Sequence, residues 1–261
     1  MNIEGQAALV TGGGSGLGEA VAKELARLGA KVAVLDVNEA GAARVAGEIA
    51  EAGASAIACR ADITDTDSLA AALDAAEAAH GPARIVMNIA GIGTAKRVVQ
   101  KDGSPAPLED FERVIRVNLV GTYNMVRLAA ARIVKLGPVD GTSGERGVVV
   151  NTASVAAFDG QVGQEAYSAS KGGIVGMTLP LARDLAQWGV RVCTIAPGLF
   201  ATPLMKELPD EVQASLAASI PFPKRLGQPE EFAALAAHIV TNGHLNGEVI
   251  RLDGALRMAP R

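Results

Sequence analysis

Tyr167 and Lys171 stand one helical turn apart in Tyr-Ser-Ala-Ser-Lys, with Ser154 upstream and a glycine-rich run, Thr11 to Gly18, near the start of the chain. Side chains four apart on a helix share a face, which puts the Lys171 ammonium beside the Tyr167 phenol. A free phenol titrates near pH ~10, and a neighbouring cation favours its ionised form. A tyrosine so placed is expected to exchange a proton with an alcohol near neutral pH. The Ser154 hydroxyl offers a hydrogen bond to a carbonyl oxygen, although a serine after a strand is by itself more often a turn or cap residue. Asn118 falls inside a helical run, where asparagine is disfavoured; alone it reads as a polar residue facing solvent.

The glycine run supplies the other half of a reaction that moves a proton and a hydride together. Gly12, Ser15, Gly16, Leu17 and Gly18 follow a strand-like stretch and open a helix. Glycines let backbone approach a pyrophosphate, and the helix N-terminus offers unpaired N–H groups and a positive dipole. An acid at the end of the next strand, Asp36, strengthens this reading, because strand, glycine turn, helix and acid occur in the expected order. Its carboxylate is placed to accept hydrogen bonds from an adenosine ribose and to repel a 2′-phosphate, which favours NAD over NADP; the plain alternative is a helix-flanking acid. Asp62 and Ile63 at the third strand end are expected to meet the adenine. Asn88, Ile89, Ala90 and Gly91 close the fourth strand with small residues where backbone must pass the cofactor.

The elements that must position these residues alternate along the chain. Ala7–Thr11, Lys31–Asp36, Ser55–Asp62, Arg84–Asn88, Gly147–Thr152, Arg191–Ala196 and Glu248–Leu252 read as strands buried on both faces. Gly16–Leu28, Glu39–Ala52, Thr66–His80, Leu108–Leu136, Gln164–Gln187 and Pro229–Asn242 read as helices. Such alternation implies an α/β fold with a doubly wound parallel sheet of about seven strands, helices on both faces. Gly91–Pro107 and Leu199–Gly227 follow strand ends, where ligands bind in such sheets, and are expected to wall the substrate. Gly137–Arg146 enters a strand from the other end.

The 261 residues suit one α/β domain, with a cofactor half over residues 1–146 and a catalytic and substrate half over 147–261. A formal charge of −4 argues against a nucleic-acid-binding surface. Cys59 and Cys193 lie far apart in apolar segments and read as buried free thiols; with His80, His238 and His244 they form no metal-ligand spacing. No apolar run reaches the ~18 residues of a membrane span. Met1–Gln6 contains an acid and no arginine, unlike a secretory or mitochondrial leader, so a cytoplasmic protein is expected.

Taken in order, Thr11-Gly-x-x-x-Gly-x-Gly, Asp36, Asn88-x-Ala-Gly, Asn118, Ser154, Tyr167-x-x-x-Lys171 and Pro197-Gly198 resemble the short-chain dehydrogenase/reductase family over nearly the whole chain. The resemblance implies a Rossmann-type fold, an NAD cofactor without metal, and a homotetramer. It implies Tyr167 as general acid/base, with Lys171 lowering its pKa and contacting the nicotinamide ribose. Ser154 would hold the reacting oxygen, and Asn118 would fix a water that links Lys171 to solvent. Pro197, Gly198, Phe200 and Thr202 join the cofactor residues, and Gln164, Leu204 and Met205 the substrate residues. The longer stretches 151–158, 160–164, 167–180 and 245–254 resemble members acting on (S)-3-hydroxyacyl-CoA thioesters. A hydroxysteroid or other apolar-alcohol dehydrogenase, and an NAD-binding scaffold, are the alternatives. Ile89 departs from the family's usual asparagine, and Thr94–Ala106 and Pro138–Arg146 fit less closely.

Overall fold

The computed structural model describes residues 1–260, apart from the side chains of Leu204 and Lys206. The chain runs β1 (Ala7–Thr11), α1 (Gly16–Arg27), β2 (Lys31–Asp36), α2 (Glu39–Glu51), β3 (Ala56–Arg60), α3 (Thr66–His80) and β4 (Ala83–Asn88). It continues with α4 (Leu108–Ile115), a π-helical segment (Arg116–Gly121), α5 (Thr122–Ile133), β5 (Gly147–Thr152), a 3-10 turn (Val155–Ala157) and α6 (Glu165–Ala186). The last elements are β6 (Val190–Pro197), α7 (Pro203–Lys206), α8 (Asp210–Ala218), α9 (Pro229–Thr241) and β7 (Val249–Leu252).

The seven strands form one parallel sheet in the order β3-β2-β1-β4-β5-β6-β7. Alternate residues of each central strand feed opposite layers, as the two-residue repeat of a pleated strand requires. Val10, Val34, Met87, Val150 and Ile195 pack with Leu25, Val45, Phe232 and Ile239 of α1, α2 and α9. Leu9, Leu35, Val86, Val149 and Val192 pack with Leu73, Met125, Ile133 and Leu185 of α3, α5 and α6. The strand order reverses between β1 and β4, and this opens a crevice above their carboxyl ends.

The outer strands correct one expectation. β3 shows a single buried residue, Cys59, and β7 is half-buried throughout, because an edge strand lacks a neighbour on one side. Cys59 and Cys193 are buried free thiols, as expected. Among the described residues, no helix is long and apolar enough to cross a membrane. The helix expected over Leu108–Leu136 is continuous but contains the π-helical turn, and α7 and α8 lie within what reads as an irregular segment. Nothing on α8 is buried, so it lacks the apolar stripe by which a helix is read from sequence. The Gly137–Arg146 excursion lies at the amino ends of the strands: Arg84 Nη1 donates to the Gly137 and Arg146 carbonyls, and the Arg146 N–H to the Gly189 carbonyl.

Candidate active site

A groove of about 500 Å³ opens over the β1–β4 crevice. Its floor is the turn between β1 and α1. Gly12 there has φ of +66°, and a Cβ on it would come within 2.7 Å of the Ala90 nitrogen. A Cβ on Gly18 would fall 2.0 Å from the Gly12 carbonyl oxygen, so the first turn of α1 folds directly onto the loop before it. Ser15 takes the N-cap position of α1 without a side-chain capping bond, which leaves the amide end of the helix facing the groove. The result is a cradle of backbone N–H groups with no side chain in the way, suited to a pyrophosphate.

Asp36 lies at one end of this groove. Its Oδ2 accepts from the Gly14 N–H at 2.9 Å and its Oδ1 from the Asn38 N–H at 2.9 Å, so the carboxylate is fixed in place. The capping of α2 falls to Asn38, whose Oδ1 accepts from the Gly41 N–H, and Asp36 is thereby free of that task. Arg44 reaches the Gly14 carbonyl but is committed to Glu19 and Glu48. Asp62 and Ile63 form the opposite wall, where Asp62 Oδ1 accepts from the backbone and hydroxyl of Thr64. The Ile63 carbonyl is held by Asn124 Nδ2 at 2.9 Å.

The groove continues past Ile89, Ala90 and Gly91 toward Thr202 and Pro203. Thr11 holds this turn, its Oγ1 accepting from the Ile89 and Ala90 N–H groups. Asn88 lies beneath the groove, buried, and donates to Asn151 Oδ1 across β4 and β5. Gly91 marks the passage from the groove to the reacting groups: a Cβ there would lie 3.1 Å from Asn118 Oδ1 and 3.5 Å from Lys171 Nζ.

Ser154, Tyr167 and Lys171 meet at that point because β5 and α6 pack side by side. Ser154 N-caps the 3-10 turn, its Oγ accepting from the Ala156 N–H, so the cap role and the hydrogen bond with the Tyr167 side chain coexist. Lys171 is buried, donates to the Thr152 carbonyl at 2.8 Å, and has its Nζ 5.8 Å from the centre of the Tyr167 ring. Burial pushes its pKa down to about 8. The Tyr167 phenol is pushed up by burial, against the pull of the Ser154 hydrogen bond. Desolvation thus works against the lowering expected of Lys171, since it acts against both charged forms.

Asn118 is completely buried in the π-helical segment, which overturns the solvent-facing reading. Its Oδ1 accepts from the Ile92 N–H, while its Nδ2 donates to the Ile92 carbonyl and to Ser170 Oγ. Both amide protons are thus occupied, and the side chain pins the loop after β4 to α6. Ser170, between Tyr167 and Lys171, escaped the sequence reading; it donates to the Tyr167 carbonyl while accepting from Asn118.

Other expected residues lie elsewhere. The Phe200 ring turns into the core, edge-on to Phe232 at 6.3 Å, and does not line the groove. Gly198 follows β6 and backs onto Asp253. Gln164 folds back to accept from the Gln161 N–H, and Met205 packs against the Ile220, Leu226 and Leu256 cluster. The Leu204 side chain lies outside the described residues. Val117 and Ile92 line the groove unanticipated, because both depend on the π-helical turn and the loop that it holds.

A family profile described as short chain dehydrogenase matches residues 6–213, and the chain belongs to that family. It is 52 % identical over 260 residues to the 3-hydroxyacyl-CoA dehydrogenase type-2 of Bos taurus, covering 99 % of this chain and 98 % of that one. The crystal structure of 3-hydroxyacyl-CoA dehydrogenase type-2 from Mycobacterium avium superposes with a TM-score of 0.92 at 44 % identity, with all of both chains covered. That of a 3-ketoacyl-(acyl-carrier-protein) reductase from Brucella melitensis complexed with NADH gives 0.85 at 34 % identity, covering 98 % of this chain and 100 % of that one.

Proposed function

We propose that this oxidoreductase uses NAD to interconvert (S)-3-hydroxyacyl-CoA and 3-oxoacyl-CoA. The observation that carries the reading is the meeting of Ser154, Tyr167 and Lys171 at the end of a groove built to hold a dinucleotide, in a chain half identical to relatives of that name. Bound in that groove, NAD would supply the hydride acceptor. The residues of the chain do the rest. In the oxidation direction Tyr167 takes the hydroxyl proton of the substrate as the hydride leaves its carbinol carbon; in reduction it returns the proton to the carbonyl oxygen. Ser154 donates to that oxygen as its charge develops. Lys171 stabilises the phenolate and anchors α6 through the Thr152 carbonyl. Asn118 and Ser170 keep the Tyr167 backbone in register with the loop after β4.

The choice of NAD over NADP rests on the Asp36 carboxylate, fixed by two backbone N–H groups, and on Arg44 being tied to two glutamates. Asp36→Ala combined with Val37→Arg is expected to shift the NADH/NADPH ratio of kcat/KM by roughly a hundredfold toward NADPH, about 2–3 kcal/mol of differential binding. Steady-state kinetics with both cofactors reads this, and a wild type that prefers NADPH would overturn the assignment.

For the thioester, a second cavity of about 250 Å³ lies between the loop after β4 and the start of α6, with Val98, Pro107, Leu108 and Phe111 in its lining. We assign it to the pantetheine arm of CoA. Lys96 is paired with Asp110, whereas Arg97 and Lys101 are exposed, so phosphate attraction falls mainly to those two. Arg97→Gln with Lys101→Gln should raise KM for acetoacetyl-CoA by about fivefold at low salt, an effect that fades with added salt. KM for an uncharged ketone should stay put. Equal changes for both substrates would remove the CoA docking role and favour a hydroxysteroid-type substrate instead.

A further inference from the structure

At the end of β7 one arginine pairs with two carboxylates, one 92 residues away in sequence and the other two residues away. Arg251 donates from Nη2 to Asp159 Oδ2 at 2.6 Å, from Nη1 to Asp159 Oδ1 at 3.4 Å, and from Nε to Asp253 Oδ2 at 2.7 Å. Its Nη2 also reaches the Leu256 carbonyl, and its guanidinium lies 5.2 Å from the centre of the Phe158 ring. Arg251 and Asp159 are each four-fifths or more buried, and Asp253 is 7 % exposed, so these charges are largely withdrawn from solvent.

Each carboxylate stands on a segment next to the reacting groups or to the turn after β6. Asp159 belongs to the connector between Ser154 and Tyr167, the two residues that would hold the reacting oxygen. Asp253 abuts the turn after β6: a Cβ on Gly198 would lie 2.8 Å from the Asp253 Cβ, and the Gly198 N–H donates to the Leu252 carbonyl. The connector is also bounded by backbone, the Val162 N–H reaching the Pro260 carbonyl and its Gly163 carbonyl accepting from the Lys96 N–H. Without Arg251, Asp159 would lose its ion pair, and Arg257, which pairs with Asp253 at 3.1 Å and also acts on Asp159, would be left to offset both carboxylates. With the bidentate link gone and one cation left between two carboxylates, the connector is held less firmly to the turn.

We propose that Arg251 is a positioning residue that clamps the 158–164 connector to the Pro197–Gly198 turn and so fixes where the substrate is held between Ser154 and Tyr167. The inference rests on the acyl-thioester reading above. It predicts an effect on substrate affinity and little on cofactor affinity, because the glycine turn and Asp36 lie at the opposite side of the sheet, above β1 and β2. A lysine would not replace the arginine, since one ammonium cannot span both carboxylates and the Leu256 carbonyl in the fixed geometry of a guanidinium.

The test compares wild type with Arg251→Gln, Arg251→Lys, Asp159→Asn and the Arg251→Gln/Asp159→Asn pair as full-length proteins. Each is assayed with NADH against acetoacetyl-CoA and an uncharged ketone, with melting temperatures measured in parallel. Arg251→Gln and Asp159→Asn should each raise KM for acetoacetyl-CoA by about tenfold, with kcat and KM for NADH within about twofold. Arg251→Lys should rescue little, and the double variant should be no worse than Arg251→Gln, since both changes remove the same contact. Unchanged KM for the acyl substrate in Asp159→Asn, or kcat and NADH affinity falling in step with the melting temperature, would overturn the clamp. A wild type inactive on the thioester would sink the substrate reading alone; the same rise in KM is then expected for the ketone that it does reduce.

Discussion

Tyr167→Phe lowers kcat for acetoacetyl-CoA reduction by about a thousandfold and leaves the affinity for NADH within about twofold. The substitution removes one oxygen, the proton donor, and keeps the ring. The Tyr167 backbone carbonyl still accepts from Ser170, and the cofactor groove is lined by other residues. Ser154 keeps its bond from the Ala156 N–H and so remains in place to polarise the carbonyl, which limits the loss to the proton-transfer contribution. Stopped-flow kinetics with a parallel NADH fluorescence titration separates the two quantities. Retention of wild-type kcat would remove Tyr167 from the chemistry.

Lys171→Met should make the cofactor-free protein more stable and nearly inactive. The wild type holds an ammonium in a buried position, and burial lowers its pKa from 10.5 to about 8. A shift of that size costs about 3 kcal/mol of folding stability below pH 8. The unfolded chain binds the additional proton between pH 8 and 10.5, so wild-type stability rises with pH across that window, and the advantage of the methionine fades over the same range. Losing the bond to the Thr152 carbonyl offsets about 1 kcal/mol. At pH 7 the net gain is about 2 kcal/mol, a rise in Tm of about 5 °C for a chain of this size. Turnover should fall by at least about a hundredfold and KM for NADH should rise, because the cation that steadies the phenolate is gone. Calorimetry at pH 7 and above pH 10 checks the stability; a Tm that drops equally at both would contradict the burial cost assigned to Lys171.

The parts legible in the sequence are those set by local repeats. The seven strands and six long helices follow from apolar runs and Ala/Leu-rich segments, and the glycine turn followed by Asp36 follows from fixed spacing. Features that depend on contacts between distant segments were hidden. Asn118 reads as misplaced in a helix until Ile92 and Ser170 supply its partners, and the π-helical turn that buries it has no one-dimensional signal. Phe200 reads as a cofactor contact by its place after Pro197-Gly198, yet Gly227 leaves room for its ring to enter the core: a Cβ there would sit 2.8 Å from the Phe200 ring. The sign of the Tyr167 shift was also hidden, because sequence spacing reveals the neighbouring lysine and not the desolvation that both groups share.

Ser154, Tyr167 and Lys171 are expected to reduce a 3-oxoacyl thioester with a hydride from NADH. The most direct measurement follows NADH oxidation by the purified wild type with acetoacetyl-CoA, against the same enzyme with NADPH and with an uncharged ketone of similar length. We expect kcat/KM on the order of 10⁴ M⁻¹s⁻¹ or higher with NADH and the thioester, and much lower values when either partner is changed. No turnover of the thioester, or faster turnover of the uncharged ketone, would contradict it.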